Sequence, residues 1–415
     1  MKKRILLVLL VSIVSIGLAA SAAGELHGRS WLDVAIDPDV GFTGMDYGLE
    51  LAYTIGGFTF GADSLFVLPG SWVWQGFTAE GQLGAFGIYA TSLFGGDIAK
   101  TLYTEAIMTV SMAGIDLALH AALLSADVGG GAAAGAAIRA AGSVGAFGIV
   151  SVTELGAQIE DDDFGGITIV HAATGRERHY VTDPRVAGEG FTGQKFTINH
   201  FSFCCAEEIT ATVYFTCAGF DYISFGVEDL LISNLSWLAI DAELKFELQT
   251  KSLLITPKLV LGDIACFELY AALDNEVDAL SIDGIKIEGI SLECQIGPVT
   301  VRDVSLFAPC DLALTTERYG SQVLPIADIL AQGMDYYPDY WEMFSIAYAG
   351  PACCEGEYTF IANTYFSEDS TSLFDWAMIY VEAMIPYGDS LAFTLGIEVA
   401  ETGLEYLGFG FEVTW

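Results

Sequence analysis

Within the last twelve residues, 404–415, the chain alternates strictly between two kinds of side chain from Tyr406 to Trp415. The apolar parity holds Leu407, Phe409, Phe411, Val413 and Trp415, and the other holds Tyr406, Gly408, Gly410, Glu412 and Thr414. Because successive side chains of a strand point to opposite faces, this segment predicts a strand with one wholly apolar face. A strand buried in a soluble β-sandwich would alternate in the same way, so the rest of the chain has to decide between the two.

The N-terminus carries an export signal. Lys2, Lys3 and Arg4 precede an apolar run from Ile5 to Leu18, and the small residues 20–22 follow it. This order of basic, apolar and small residues predicts a signal peptide over 1–22, cleaved near Ala22. The apolar run is too short to span a bilayer comfortably. The mature chain, 23–415, is therefore expected to be exported.

Charge and hydropathy point to a membrane protein without spanning helices. Removal of the leader takes away three basic residues, which leaves 13 of the 16 against 54 acidic ones. Such an excess of negative charge excludes nucleic acid as a partner. Yet 53% of the residues are hydrophobic and the mean hydropathy is +0.48. A lipid-embedded chain that lacks spanning helices must satisfy its backbone by closing a barrel.

One stretch competes as a transmembrane helix. Residues 132–152 are rich in Ala and Gly and carry a single charge at Arg139. The glycines weaken a helix, although small residues also favour helix packing in membranes. Two strands that turn near 141–143 are the preferred interpretation.

Short alternating runs continue through the chain. The clearest lies at 237–249, where polar residues from Asp241 to Glu247 share one face and apolar residues share the other. Further strands are predicted at 29–36, 45–55, 57–67, 72–83, 85–94, 101–112 and 114–124. The mature length allows roughly 16 to 22 strands.

The C-terminal pattern is similar to the terminal signature of bacterial outer-membrane β-barrel proteins. In that family, alternating apolar residues end in an aromatic residue that the barrel assembly machinery reads. The resemblance implies an all-β fold, an antiparallel transmembrane β-barrel with an even number of strands, located in the outer membrane and in contact with its lipid. It also implies that a homo-oligomer, a trimer as in many porins, is possible.

Two stretches interrupt the alternation and are predicted as long loops, near 160–195 and 317–342. The first contains a possible hairpin, 167–172 against 177–182. It also holds a cluster of basic residues that could form a constriction or gate: Arg176, Arg178, Arg185 and Lys195. The loops could lie outside the barrel or fold into it.

Charged residues on the polar parity are candidates for the lining of a pore. These are Asp241, Glu243, Lys245, Glu247, Glu293 and Glu412. An excess of carboxylates in a water-filled lumen attracts cations and repels anions. The acids could instead lie mostly on external loops and merely solvate the surface.

The cysteines and histidines define no catalytic or metal site. The adjacent pairs Cys204–Cys205 and Cys353–Cys354 could form disulfides in an oxidising compartment, with connectivity open. No cysteine pair has the spacing of a zinc site, and no Ser/His/Asp motif accompanies the five histidines. We therefore expect no metal, no cofactor and no enzymatic activity.

The preferred function is a porin-like channel for passive diffusion of small hydrophilic solutes, with a preference for cations. A structural or surface-layer-like envelope barrel without an open pore is the first alternative. A barrel enzyme or a transporter of apolar compounds is the second.

Overall fold

The computed structural model describes most of the chain after residue 24. The described residues are 25–37, 41–68, 71–95, 100–128, 131–159, 166–170, 177–186, 190–199, 208–231, 235, 237–248, 251–261, 265–275, 285–307, 340–351, 357–367, 376–387, 390–401 and 403–415. The predicted signal peptide lies outside them.

Strands make up nearly all of the described chain. They are β1 Glu25–Asp37, β2 Gly41–Ile55, β3 Phe58–Leu68, β4 Ser71–Leu83, β5 Phe86–Gly95, β6 Thr101–Met112, β7 Ile115–Leu124, β8 Ala133–Val144, β9 Phe147–Leu155, β10 Gln158–Ile159, β11 Ile167–Val170, β12 Glu177–Tyr180, β13 Thr182–Asp183, β14 Gly193–Asn199, β15 Glu208–Thr216, β16 Gly219–Leu231, β17 Leu238–Glu247, β18 Lys251–Leu261, β19 Ala265–Asn275, β20 Ile285–Ile296, β21 Val299–Phe307, β22 Tyr340–Pro351, β23 Glu357–Ser367, β24 Trp376–Pro386, β25 Leu391–Ala400 and β26 Gly403–Thr414. A single 3-10 turn spans Ala126–Val128.

Twenty-two strands form one closed antiparallel sheet. β1 to β9 and β14 to β26 pair in chain order, with β14 beside β9. The first and last strands close the ring through register pairs that run from Arg29↔Thr414 to Ile36↔Leu407. Closure leaves no sheet edge, so every strand has neighbours for its backbone groups. The strand number is even and lies at the top of the predicted range.

The two ends of the barrel differ. At the end where β1 starts and β26 finishes, here called the terminal rim, two-residue turns join the first strand pairs at 56–57, 84–85, 113–114 and 145–146. Gly57 and Gly114 adopt φ of 82° and 81°, which the tight turn of a hairpin requires and which glycine adopts without strain. The opposite end, the loop rim, is where β9 continues into 156–192.

The two faces of the sheet separate apolar from polar side chains. Large apolar residues lie exposed on the outer face, among them Phe60, Phe77, Phe225, Phe409 and Phe411. Cross-strand partners share a face, so the pairing register assigns the other parity to the inside. A continuous apolar exterior around a closed sheet is the surface that a lipid bilayer covers. No helix in the described part of the chain is long and apolar enough to cross a membrane.

Some boundaries differ from the sequence-based prediction. Residues 132–152 form β8 and β9, as preferred over the helix, but the turn lies at 145–146 because Gly145 supplies a φ of 66°. Lys195 lies in β14 and not in the predicted loop. The second predicted loop lies outside the described residues except for 340–342, which begin β22.

Candidate functional site: the lumen wall and the inserted segment

The inner face of the described barrel carries more carboxylates than basic groups. By register, the inward acids include Glu25, Asp33, Asp46, Glu50, Asp63, Glu80, Glu105, Asp116, Glu154, Glu208, Glu228, Asp241, Glu243, Glu247, Glu293, Glu357, Glu382, Glu398 and Glu412. The inward basic residues are Arg29, Arg139, Lys195, Lys245, Lys258 and Arg302. The wall therefore presents a net negative field to the lumen.

The predicted pore-lining residues of β17 lie on the inward face. Glu243, Lys245 and Glu247 pair with inward Gly226, Ser224 and Tyr222. Lys245 Nζ lies 3.1 Å from Glu247 Oε1 and 4.4 Å from the centre of the Tyr222 ring.

Asp241 lies farther along the same face, where β16 bulges. It accepts a hydrogen bond of 2.8 Å from the backbone amide of Asp229, which has a positive φ of 46°. Lys258 forms ion pairs with both carboxylates, at 3.3 Å to Asp229 and closely to Asp241. This lysine locally offsets the negative charge.

The two remaining candidates, Glu293 and Glu412, also point inward and each faces an arginine. Arg302 Nε lies 4.0 Å from Glu293 Oε2. Arg29 Nη2 donates a hydrogen bond of 2.7 Å to Glu412 Oε2 across the closing seam of the barrel.

The described residues of the range 156–192, here called the inserted segment, lie inside the barrel; they are 156–159, 166–170, 177–186 and 190–192. Ile167, Ile169 and Tyr180 of β11 and β12 are buried in one cluster with inward-facing Leu93 and Tyr103. The sequence predicted the β11–β12 hairpin and left open whether the loop lies outside or folds inward. The structure shows that it packs on the wall formed by β3 to β7.

The base of the inserted segment is fixed to the wall at both ends. The Gly156 amide donates to Thr192 Oγ1 at 2.9 Å, and the Thr192 amide donates to the Glu154 carbonyl at 2.9 Å. The Tyr214 hydroxyl donates to Glu154 Oε2 at 2.8 Å. At Gly135 a Cβ atom would come 2.0 Å from the Gly156 carbonyl, so the segment crosses β8 in direct backbone contact.

A second attachment lies at Thr182. Its amide donates to Glu105 Oε2 at 2.7 Å, and its carbonyl accepts from the Tyr103 hydroxyl at 2.5 Å. His120 Nδ1 lies 3.2 Å from Thr182 Oγ1. Thr182, Tyr103 and Glu105 are almost completely buried, so these polar groups satisfy one another away from water.

Of the predicted constriction residues, Arg178 makes the most extensive contact with the wall. Its guanidinium pairs closely with Asp63 of β3 and lies 5.2 Å from the centre of the Trp74 ring. The Arg178 and Asp63 side chains are 28% and 15% exposed, so the pair lies between the segment and the wall and is partly open to the lumen. A basic group therefore faces an acidic wall here, supported by an aromatic ring.

The other predicted constriction residues lie apart from Arg178. Arg185 forms a bidentate pair with Asp183 two residues away, with Nη2 to Oδ2 at 2.7 Å. The hydrogen bonds that Arg185 donates to the Asp183 carboxylate raise the pKa of Arg185. Lys195 is buried on the inward face of β14, opposite Val152 and Tyr214. Arg176 lies outside the described residues.

The wall from β22 to β26 has a feature that the sequence analysis missed. No lysine, arginine or histidine follows Arg318 in the chain. Five consecutive strands therefore have no cationic side chain, and the inward acids Glu382, Glu398 and Glu412 lie among them. The sequence shows this feature as the absence of basic residues after Arg318. The net charge of the whole chain does not reveal it.

Cysteines and metal ligands add no further site within the described residues. Cys217 and Cys294 carry free thiols. Cys204, Cys205, Cys353 and Cys354 lie outside the described part, so their pairing stays a prediction. No group of three or more His, Cys, Asp or Glu side chains in that part is arranged to hold a metal ion.

Comparison with known proteins finds similarity of overall shape only. The FrpB iron transporter from Neisseria meningitidis is 9% identical, with a TM-score of 0.48 over 97% of this chain and 83% of that one. The copper transporter OprC is 9% identical, with a TM-score of 0.48 over 95% of this chain and 81% of that one. OpdL of Pseudomonas aeruginosa is 11% identical, with a TM-score of 0.35 over 94% of this chain and 97% of that one. No family model matches the chain. No curated protein matches it. At such values the likeness carries no functional argument.

The fold is therefore established by the chain's own geometry. A closed antiparallel sheet of 22 strands, an apolar exterior and a charged interior are together the architecture of an outer-membrane β-barrel. A ring of this size, with strands about 4.8 Å apart and tilted by about 40°, measures roughly 44 Å between opposite backbones.

Proposed function

We propose that this chain is an outer-membrane channel for passive diffusion of small hydrophilic solutes, with a preference for cations. The observation that carries the proposal is the excess of carboxylates over basic groups on the described inner wall. A wide lumen with such a wall raises the local concentration of cations and lowers that of anions. No chemical step is needed for this function.

The inserted segment would act as the constriction. It lies against one wall, and Arg178, partly open to the lumen, lies beside Asp63 and Trp74. A positive group beside an acidic wall creates a local transverse field, which orients dipolar solutes as they pass. Because Thr182 and Thr192 attach the segment to different strands of the wall, we expect a stable constriction that opens only when the attachment at Thr182 breaks.

The alternative in a different class is a structural envelope barrel whose lumen does not conduct. The buried cluster around Tyr103 and Ile167 favours partial filling on the β3 to β7 side. Planar-bilayer recording of the refolded protein separates the two functions. Steady conductance steps are expected for the channel, whereas a folded, inserted barrel without current would reject it.

Two partner proposals accompany the channel. The terminal residues 407–415 would be read by the barrel assembly machinery, and a homo-trimer would bury part of the apolar exterior. Outer-membrane assembly of a Trp415→Ala variant in cells, compared with refolding of the same variant in detergent, tests the first proposal. Cross-linking of the intact protein in lipid tests the second.

A further inference from the structure

We propose that the inner wall of β24 to β26 binds organic cations, meaning ammonium groups that carry apolar substituents. The site is a tyrosine patch made of Tyr380, Glu382, Glu398 and Tyr406, and Gly396 and Gly408 form its floor. The proposal rests on the channel function proposed above and names the class of solute that this channel would favour.

The floor of the patch is open because two glycines face each other across β25 and β26. Gly396 pairs with Gly408 on the inward face. A Cβ at Gly396 would lie 3.1 Å from Tyr406 Cε1, and one at Gly408 would lie 2.0 Å from the Tyr406 hydroxyl oxygen. The Tyr406 ring therefore lies along the wall over both glycines. A ring in this position turns one face toward the lumen.

The second ring and the carboxylates surround this position. Tyr380, Glu398 and Tyr406 lie in one cross-strand row, and Glu382 pairs with Gly396 in the next. The Tyr380 hydroxyl donates to Glu382 Oε2 at 2.5 Å and lies 3.9 Å from the position of a Gly396 Cβ. Two aromatic rings and two carboxylates thus converge on an area without side chains of its own.

An open cavity of about 510 Å³ adjoins the patch at Glu382. Gln295, Thr300, Ala347 and Thr359 are among the residues that line it. The small side chains Thr300, Ala347 and Thr359 leave a depression in the wall beside the Glu382 carboxylate. This depression has room for the apolar part of a solute.

The chemistry of the patch favours a cation over other solutes. The negative faces of aromatic rings attract ammonium groups, and carboxylates add a direct Coulomb attraction. No basic side chain from β22 to β26 competes for these groups. A neutral sugar could stack on Tyr406 as well, but it would gain nothing from the two negative charges. An anion would be repelled.

The test measures block of single-channel KCl current by choline and by 3,3-dimethylbutanol, its neutral counterpart of the same shape. Choline is expected to interrupt the current and the neutral alcohol to have no effect at the same concentration. Tyr406→Leu keeps the apolar bulk over the glycines but removes the ring. It should weaken the block by at least about threefold. Glu382→Gln combined with Glu398→Gln should weaken it more.

The matched controls are Tyr89→Leu and Glu80→Gln, which alter an inward aromatic residue of β5 and an inward acid of β4, away from the patch and its cavity. Neither should change the block. Equal block by choline and the neutral alcohol, or unchanged block in Tyr406→Leu, would overturn the proposal.

Binding of choline to the folded protein in detergent, measured by calorimetry, keeps the two proposals distinguishable. A folded barrel that conducts no current contradicts the channel. Loss of choline binding in Tyr406→Leu would still support the patch in that case, and absence of choline binding to the unsubstituted protein would reject it.

Discussion

The backbone amide of Thr182 donates a hydrogen bond of 2.7 Å to Glu105 Oε2, and the two residues are 0% and 1% exposed. Thr182 belongs to the inserted segment and Glu105 to the wall of β6. This buried bond connects the segment to the barrel wall. It joins two residues that are 77 positions apart in the chain.

Replacement of Glu105 by Ala should loosen the inserted segment. A hydrogen bond to a charged acceptor contributes about 1.5–3 kcal/mol, so the ratio of attached to detached segment should fall by about 10- to 100-fold. Single-channel recordings should show more frequent transitions between conductance levels. Glu80→Ala removes an exposed inward acid of β4 and serves as the control. Identical current noise in Glu105→Ala and the unsubstituted protein would contradict this function of Glu105.

A substitution that alters no charge, Gly135→Ala, should also loosen the inserted segment. At Gly135 a Cβ would come 2.0 Å from the Gly156 carbonyl, so Gly135→Ala forces the segment away from β8. We expect the same additional conductance transitions, with unchanged ion selectivity. At Gly142, also in β8, the nearest atom to an added Cβ is 3.3 Å away, so Gly142→Ala is the milder control. Equal current noise in Gly135→Ala and Gly142→Ala would show that the contact between Gly135 and Gly156 does not hold the inserted segment in place.

Arg178 should limit the preference for cations. Arg178→Ala removes the positive group beside Asp63 and exposes that carboxylate to the lumen, so the permeability ratio of K⁺ to Cl⁻ should rise. Arg185→Ala is the matched control, since Arg185 is paired with Asp183 of its own segment. A fall in the ratio for Arg178→Ala, or an equal rise in both variants, would contradict the assignment of Arg178 to the constriction.

The closing seam of the barrel depends on a glycine beneath an aromatic ring. An added Cβ at Gly28 would come 2.2 Å from the Trp415 ring, while the Gly28 and Trp415 backbones form two hydrogen bonds at 3.1 and 3.0 Å. Gly28→Ala should lower the stability of the folded barrel by about 1–3 kcal/mol, as overpacking does. Urea unfolding monitored by Trp fluorescence measures this loss.

A double-mutant cycle tests the contact itself. Trp415→Ala should be destabilising alone, and Gly28→Ala should cost little in that background because the ring is absent. Gly44→Ala, where nothing lies within 4 Å of the added Cβ, is the control and should be nearly neutral. Strict additivity of Gly28→Ala and Trp415→Ala would show that the two residues do not interact.

Much of the fold could be predicted from the sequence, since period-two alternation is a local property. The strand at 237–249 and the terminal strand need only the parity of neighbouring residues, and the structure confirms both with small shifts of their ends. The turn after β8 was misplaced by a few residues because glycines occur at 142 and 145, and only Gly145 has the positive φ.

The site was less predictable, because it depends on contacts between distant strands. Arg178 could be selected from its charge, but its pairing with Asp63 joins residues 115 positions apart. Glu105 differs from the other inward acids by the hydrogen bond that it accepts from the Thr182 amide, and strand alternation does not reveal that bond. The tyrosine patch needs two glycines to face each other across strands, which the sequence of one strand does not reveal.

The central claim is that the acidic inner wall selects cations, and the reversal potential of single channels in a KCl gradient tests it most directly. We predict a reversal potential close to that of a K⁺-selective pore, shifted toward zero by Glu243→Gln and not by Glu342→Gln, which removes an acid from the outer face. A reversal potential at zero or on the Cl⁻ side, with the protein folded and conducting, would contradict the account.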